Sequence, residues 1–221
     1  MIASELINPV IPTLSPDEKI QKALGWMEDL RLNELPVVEN RIYAGLLRHD
    51  HNMEDSPAES VVRNFPLVDK KCFVFENQHF YDVIKIATDF HVHAVPVLDL
   101  ENNYSGIITI EDTITAFAQT AAVQSQGAIL VLSIKQIDYS LAEISRLVES
   151  DGGKILGSSV NNDSGDPSKI KLTLKINKTD LSRIIATLER FGYIIVASFQ
   201  ETELISNDKE RLDILMRYLD I

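Results

Sequence analysis

An α+β chain, built from one unit used twice and a third unit of different rhythm, is predicted by three observations. The first is a repeated segment: Leu35-Pro36-Val37-Val38 is followed by Gly45-Leu46-Leu47-Arg48-His49-Asp50, and Val95-Pro96-Val97-Leu98 by Gly106-Ile107-Ile108-Thr109-Ile110-Glu111-Asp112. Internal repetition at such a spacing defines architecture before any single residue is interpreted. The second is a change of pattern beyond residue 127, where strand and helix signals alternate in another order. The third is composition: 221 residues with 45% hydrophobic and 24% charged side chains can bury ordinary globular cores.

The first repeat spans 1–60. Ser15-Pro16-Asp17-Glu18 has the layout of a capping box with proline at the first helical position. Ile20, Leu24, Met27 and Leu30 then form a helical stripe, which Pro36 ends before the strand at Val37-Val38. The second repeat, 61–120, follows the same plan. Asn77 is a cap candidate for a helix carrying Val83, Ile84, Ala87 and Phe90. Two strands joined at Glu101-Asn102-Asn103 come next, and a helix with Ile114, Phe117 and Ala118 closes the repeat. Each copy thus reads as an amphipathic helix, a strand entered through proline, a turn and a second apolar strand, and the two can bury their apolar faces together and leave clefts between them.

A connector precedes the third unit, 127–200. Ile129 to Ile134 is an apolar strand, and Ser140 with Glu143 opens a helix that Gly152-Gly153 ends. Lys154 to Val160 is a strand, Asn162 to Pro167 a turn, and Ile170, Leu172, Leu174 and Ile176 alternate with polar residues. A helix capped by Thr179 and a strand from Tyr193 to Phe199 complete β-α-β-β-α-β, the ferredoxin-like order. Residues 205–221 form a terminal helix begun by Asn207, whose stripe Leu212, Leu215, Met216 and Leu219 must cover something. That stripe and the open sheet predict a homodimer.

A net charge of −12 argues against nucleic acid and against a polybasic membrane anchor. No apolar run reaches a membrane span, the first residues lack a signal-peptide layout, and the single cysteine, Cys72, excludes an intrachain disulfide. The expected location is the cytoplasm.

With both copies in register, the pattern resembles tandem CBS domains, the pair called a Bateman module, which implies the order β-α-β-β-α for each copy. The third unit is similar to an ACT domain, and the whole order to that of bacterial acetoin-utilisation accessory proteins. The resemblance implies binding of AMP, ADP, ATP or adenosylmethionine between the repeats, with no cofactor required. It assigns the nucleotide to Thr109 and Asp112, with Ile7, Pro9, Leu32 and Asn33 supplied from the first copy around the base. A carboxylate can accept from both ribose hydroxyls. Thr109 and Asp112 can equally be caps of the following helix.

The first copy departs from the pattern, with Arg48 at the Thr109 position, His51 at the Asp112 position and Asp50 just before it. Arg48 can answer a phosphate or stand as a surface charge. Crossed pairing would bring His93 to this second cleft, and His49, His51, His91 and His93 invite a metal reading. Their spacing is neither helical nor knuckle-like, so no metal is assigned. The ACT-like unit reads Asp138-Tyr139-Ser140-Leu141 where amino-acid-binding relatives carry glycine, which favours a dimerisation role. No nucleophile–base set or phosphate-cradling glycine loop is present. The expectation is therefore a non-enzymatic ligand sensor acting on an unidentified protein. The alternatives are an interaction protein with empty clefts and an amino-acid sensor working through the third unit.

Overall fold

The structure, a computed structural model, describes residues 1–200; the expected terminal helix at 205–221 lies outside the described residues. Two compact units divide the chain, the first ending at Gln119 and the second opening at Thr120.

In the first unit, α1 (Ile20–Leu30), β1 (Glu34–Glu39), β2 (Ile42–Arg48) and the short α2 (His51–Glu54) make the first copy. Two short strands follow, β3 (Leu67–Val68) and β4 (Val74–Phe75), then α3 (Phe80–Phe90), β5 (Ala94–Leu98), β6 (Tyr104–Thr109) and α4 (Ile110–Ala118). Leu14 bridges Val37 in parallel just as β4 pairs parallel with β5, so each copy has the order β-α-β-β-α. The segments that lead into the copies are exchanged. β3, which precedes the second copy, extends the sheet of the first to β1-β2-β3. The chain before the first copy lies against the second, with Asn8 N–H donating to Ile107 O at 2.8 Å. Two cores result, one around Leu35, Leu47 and Ile20, the other around Ile107, Ile108, Val95 and Leu46.

Helix boundaries differ from the expected ones because the chain before each helix is bonded elsewhere. Ser15 N–H donates to Glu18 Oε2 at 3.3 Å and Glu18 N–H to Ser15 O at 3.0 Å, but these bonds close a turn. Lys19 then bridges Val61, and Ile20 N–H donates to Ser60 O, so the chain is held extended until Ile20. The second copy does the same: Phe75 N–H donates to Gln78 Oε1 at 2.7 Å, and His79 rather than Asn77 caps α3. Both helices end on a non-glycine residue in the left-handed region, Arg31 and His91, each at φ 53°. Their buried stripes match, Ile20, Ala23 and Met27 against Phe80, Val83 and Ala87. So narrow a stripe leaves Ile84 exposed, and Ile114 and Phe117 of α4 face solvent rather than the core.

In the second unit α5 (Ala121–Gln124) precedes β7 (Ala128–Lys135), α6 (Leu141–Ser150), β8 (Ile155–Asn162), β9 (Lys169–Ile176), α7 (Ser182–Arg190) and β10 (Ile194–Phe199). The four strands form one antiparallel sheet in the order β10-β7-β9-β8. Alternate residues Ala128, Leu130, Leu132 and Ile134 of β7 and Ile170, Leu172, Leu174 and Ile176 of β9 pack with Ile144, Leu147, Ile184 and Leu188 of the helices. Ser140 caps α6 as expected, its Oγ accepting from Glu143 N–H at 3.3 Å. Thr179 is not the cap of α7; Asp180 accepts from Ser182 N–H at 2.9 Å, one turn position later. Among the described residues no helix is long and apolar enough to cross a membrane.

Candidate functional site

The end of β6 and the start of α4 concentrate polar chemistry in an otherwise apolar unit. Thr109 is the N-cap of α4, its Oγ1 accepting from Asp112 N–H at 3.0 Å. Asp112 replies in kind: Oδ2 accepts from Thr109 N–H at 2.9 Å and from Thr109 Oγ1–H at 2.6 Å. This reciprocal box holds a half-buried carboxylate at a helix N-terminus, where the backbone dipoles favour negative charge. Asn8 Nδ2 lies 3.2 Å from both Asp112 oxygens. A hollow of about 360 Å³ opens here, lined in part by Leu6, Ile7, Asp112, Thr115 and Ala116. Ile7 is seated against Gly106 so closely that a Cβ at Gly106 would come 2.3 Å from Ile7 Cγ2. The lead-in therefore cannot reach the strand over any larger residue. Pro9 follows in an exposed turn that Asn8 Oδ1 steadies by accepting from Val10 N–H.

Leu32 and Asn33 lie elsewhere. They line a hollow of about 410 Å³ with Leu24, Met27, Glu28, His49 and Glu54, and Asn33 O accepts from His49 N–H at 2.8 Å. The structure thus gathers Thr109, Asp112 and Ile7 and sets Leu32 and Asn33 beside the first copy's own β2–α2 junction. The residue in the corresponding place at the second copy is His93, whose carbonyl accepts from Ile110 N–H at 2.9 Å.

The first copy's junction carries a larger hollow, about 500 Å³, lined by Arg48, His49, Asp50, His51, Met53 and the β3 segment Pro66 to Val68. Asp50 caps α2 by accepting from Asn52 N–H, and the Asn52 bonds hold its carboxyl below the ordinary carboxylate range. Helix α2 therefore begins at His51, which is exposed, and Met53 occupies the buried position on that turn. His49 and His51 both approach Glu54 Oε1, at 3.2 and 3.8 Å. Among the described residues no group of three or more His, Cys, Asp or Glu is gathered in a way that could hold a metal ion.

Arg48 lines this hollow, and its guanidinium is engaged by the second copy. Its Nη2 donates to Phe90 O at 3.0 Å and to His91 O at 2.9 Å, the carbonyls that end α3 in the other copy. A cation at a helix C-terminus is favoured by the same dipole that favours Asp112 at an N-terminus. Its Nε lies 3.5 Å from Glu34 Oε1 and makes no hydrogen bond. Glu34 is 2% exposed and also receives His93 N–H at 3.2 Å, with His93 Nδ1 3.6 Å away. Glu34 and Arg48 are register partners across β1 and β2; the equivalent pair across β5 and β6 is Ala94 and Thr109. Asn8 and Glu34 are the participants that motif matching passes over. The signal for Glu34 is in the sequence: acid and base replace neutral residues together, at paired positions of one copy.

Cys72 is buried, and burial pushes its thiol up to about 12, which keeps it protonated and unreactive.

Residues 61–119, the span of the second copy, match the CBS domain family model. Both Thr109 and Asp112 fall within it. A curated relative, inosine-5′-monophosphate dehydrogenase from Methanocaldococcus jannaschii, is 23% identical over 150 residues, 67% of this chain. The match spans only 30% of that relative's length. Similar solved structures include a CBS domain pair/ACT domain protein from Thermotoga maritima, 18% identical, aligned over 54% of this chain and 98% of that one, with a TM-score of 0.49. CBSX2 in complex with AMP is another, 16% identical over 53% of this chain and 96% of that one, TM-score 0.46.

Proposed function

We propose that the chain is a non-enzymatic regulatory sensor that binds one adenosine-containing nucleotide at the Thr109–Asp112 junction and transmits its state to a partner protein. The observation that carries this reading is the carboxylate itself. Asp112 is hydrogen-bonded, half-buried and at a helix N-terminus, on the wall of a hollow of suitable size within the stretch that matches the CBS domain model. AMP, ADP, ATP and adenosylmethionine share the ribose this carboxylate would hold, with Ile7 alongside and Pro9 at the rim. Leu32 and Asn33 enter the reading only if the ligand reaches across to the first copy. The cleft at Arg48, Asp50, His51 and His93 is the weaker one, because Arg48 is spent on α3 and Glu34. Ligand entry would favour one arrangement of the repeats, a shift in population.

The first copy is read as a second, degenerate CBS repeat and residues 127–200 as an ACT-type domain serving association in a cytoplasmic homodimer. Ile194, Val196 and Phe199 of β10 are exposed at the edge of the second unit's sheet, an apolar surface available to another copy. Light scattering at micromolar concentration is expected to give twice the mass of the 24.8 kDa chain, and a monomer overturns the association.

The functional reading is tested by thermal denaturation with adenosine, AMP, ADP, ATP and adenosylmethionine. A ligand of the folded state at a hundred times its dissociation constant stabilises by about 2.7 kcal/mol, which raises the melting temperature by several degrees. If none of the five moves the transition, the competing reading of an interaction protein with empty clefts takes its place. A response to amino acids alone would transfer the sensing role to the second unit.

A further inference from the structure

We propose that Asn8 is a built-in occupant of the Asp112 carboxylate, which a ribose must displace, so that this one residue sets the affinity of the site. The inference rests on the nucleotide reading above and adds the feature that regulates it. An ionised carboxylate offers about four lone-pair directions. Thr109 N–H and Oγ1–H take Oδ2 at 2.9 and 2.6 Å, and Asn8 Nδ2, at 3.2 Å from each oxygen, is the one donor that reaches Oδ1. The Thr109 bonds face the helix and belong to its cap. The Asn8 amide covers the other side, spanning both oxygens as the two hydroxyls of a vicinal diol would.

Asn8 is held there by its neighbours rather than by chance of rotamer. Its backbone N–H is tied to Ile107 O at 2.8 Å, its Oδ1 accepts from Val10 N–H at 3.1 Å, and Ile7 is locked on Gly106. The backbone therefore stays when the side chain leaves. Rotation of the amide about its own side-chain torsions would give up the Val10 bond and expose Asp112 to the hollow beside Ile7, while the Asn8 N–H stays on Ile107 O. A neutral amide releases a carboxylate more readily than a cation would, which suits an occupant meant to be displaced.

The experiment is calorimetry of AMP and ATP with the full-length chain, wild type and the variants Asn8→Ala and Asn8→Ser, each first shown to fold by its melting transition. Both variants are expected to bind about five- to tenfold more tightly than wild type, since a competing pair of hydrogen bonds is gone. The gain should be absent with 2′,3′-dideoxyadenosine monophosphate, which has no diol to take the vacated oxygens. Binding seen only in the variants also supports the proposal. Equal or weaker binding by both variants, with wild type binding well, overturns the role of Asn8 and leaves the nucleotide site standing. No binding by any of the three overturns the site, and the role of Asn8 with it.

Discussion

Arg48→Ala is expected to lower the stability of the first unit by about 3 kcal/mol, because removing one partner of a buried pair strands the other charge. Glu34 is the group left stranded, at 2% exposure with the His93 backbone N–H as its one remaining hydrogen bond and the His93 ring 3.6 Å away. The carbonyls of Phe90 and His91 lose their donor in the same step. Arg48 is itself partly exposed, which places the loss at the lower end of the range measured for such pairs. In a thermal scan the corresponding fall is roughly 10 °C for a unit of this size. The double variant Glu34→Gln, Arg48→Met should recover most of it, since replacing both charges with neutral groups leaves no buried charge unpaired. A single variant that melts with wild type would show that the pair contributes nothing. A double variant as unstable as the single would assign the loss to the α3 carbonyls alone.

The architecture was largely legible because it is periodic. Pro36 and Pro96, Gly45 and Gly106, and the apolar runs between them recur about sixty residues apart, and the strands paired in the structure are those runs. Helix starts were not legible, because Ser15 and Glu18 have the chemistry of a capping box and spend it on a turn. What delays α1 is the pairing of Lys19 and Ile20 with residues some forty positions on, a tertiary contact with no local signature. The placement of Ile84 on one face with Val83 and Ala87 misled for a related reason: spacing defines a stripe, but only the neighbours decide how much of it is covered. At the site, Thr109 and Asp112 carry a recognisable motif. Asn8 does not, since an asparagine about a hundred residues away gains meaning only once the lead-in is seen to lie along β6.

Asp112→Ala is expected to weaken nucleotide binding at least tenfold, because hydrogen bonds to a charged group contribute about 1.5–3 kcal/mol each. The same substitution dismantles the reciprocal cap of α4, which alone costs about 1 kcal/mol of stability. The two effects separate by measuring both: calorimetry reports the ligand, and denaturation without ligand reports the cap. Asp50→Ala is the matched control, since Asp50 also caps a helix but lies in the first copy. It should lose comparable stability and leave the affinity within about twofold, a difference too small to represent a lost charged hydrogen bond. A double-mutant cycle then ties Asp112 to Asn8. Residues in contact couple, so the tightening produced by Asn8→Ala should vanish when Asp112 is already alanine. If Asp112→Ala binds as tightly as wild type while losing only the stability of a cap, the carboxylate serves the helix, and the ribose must be held elsewhere.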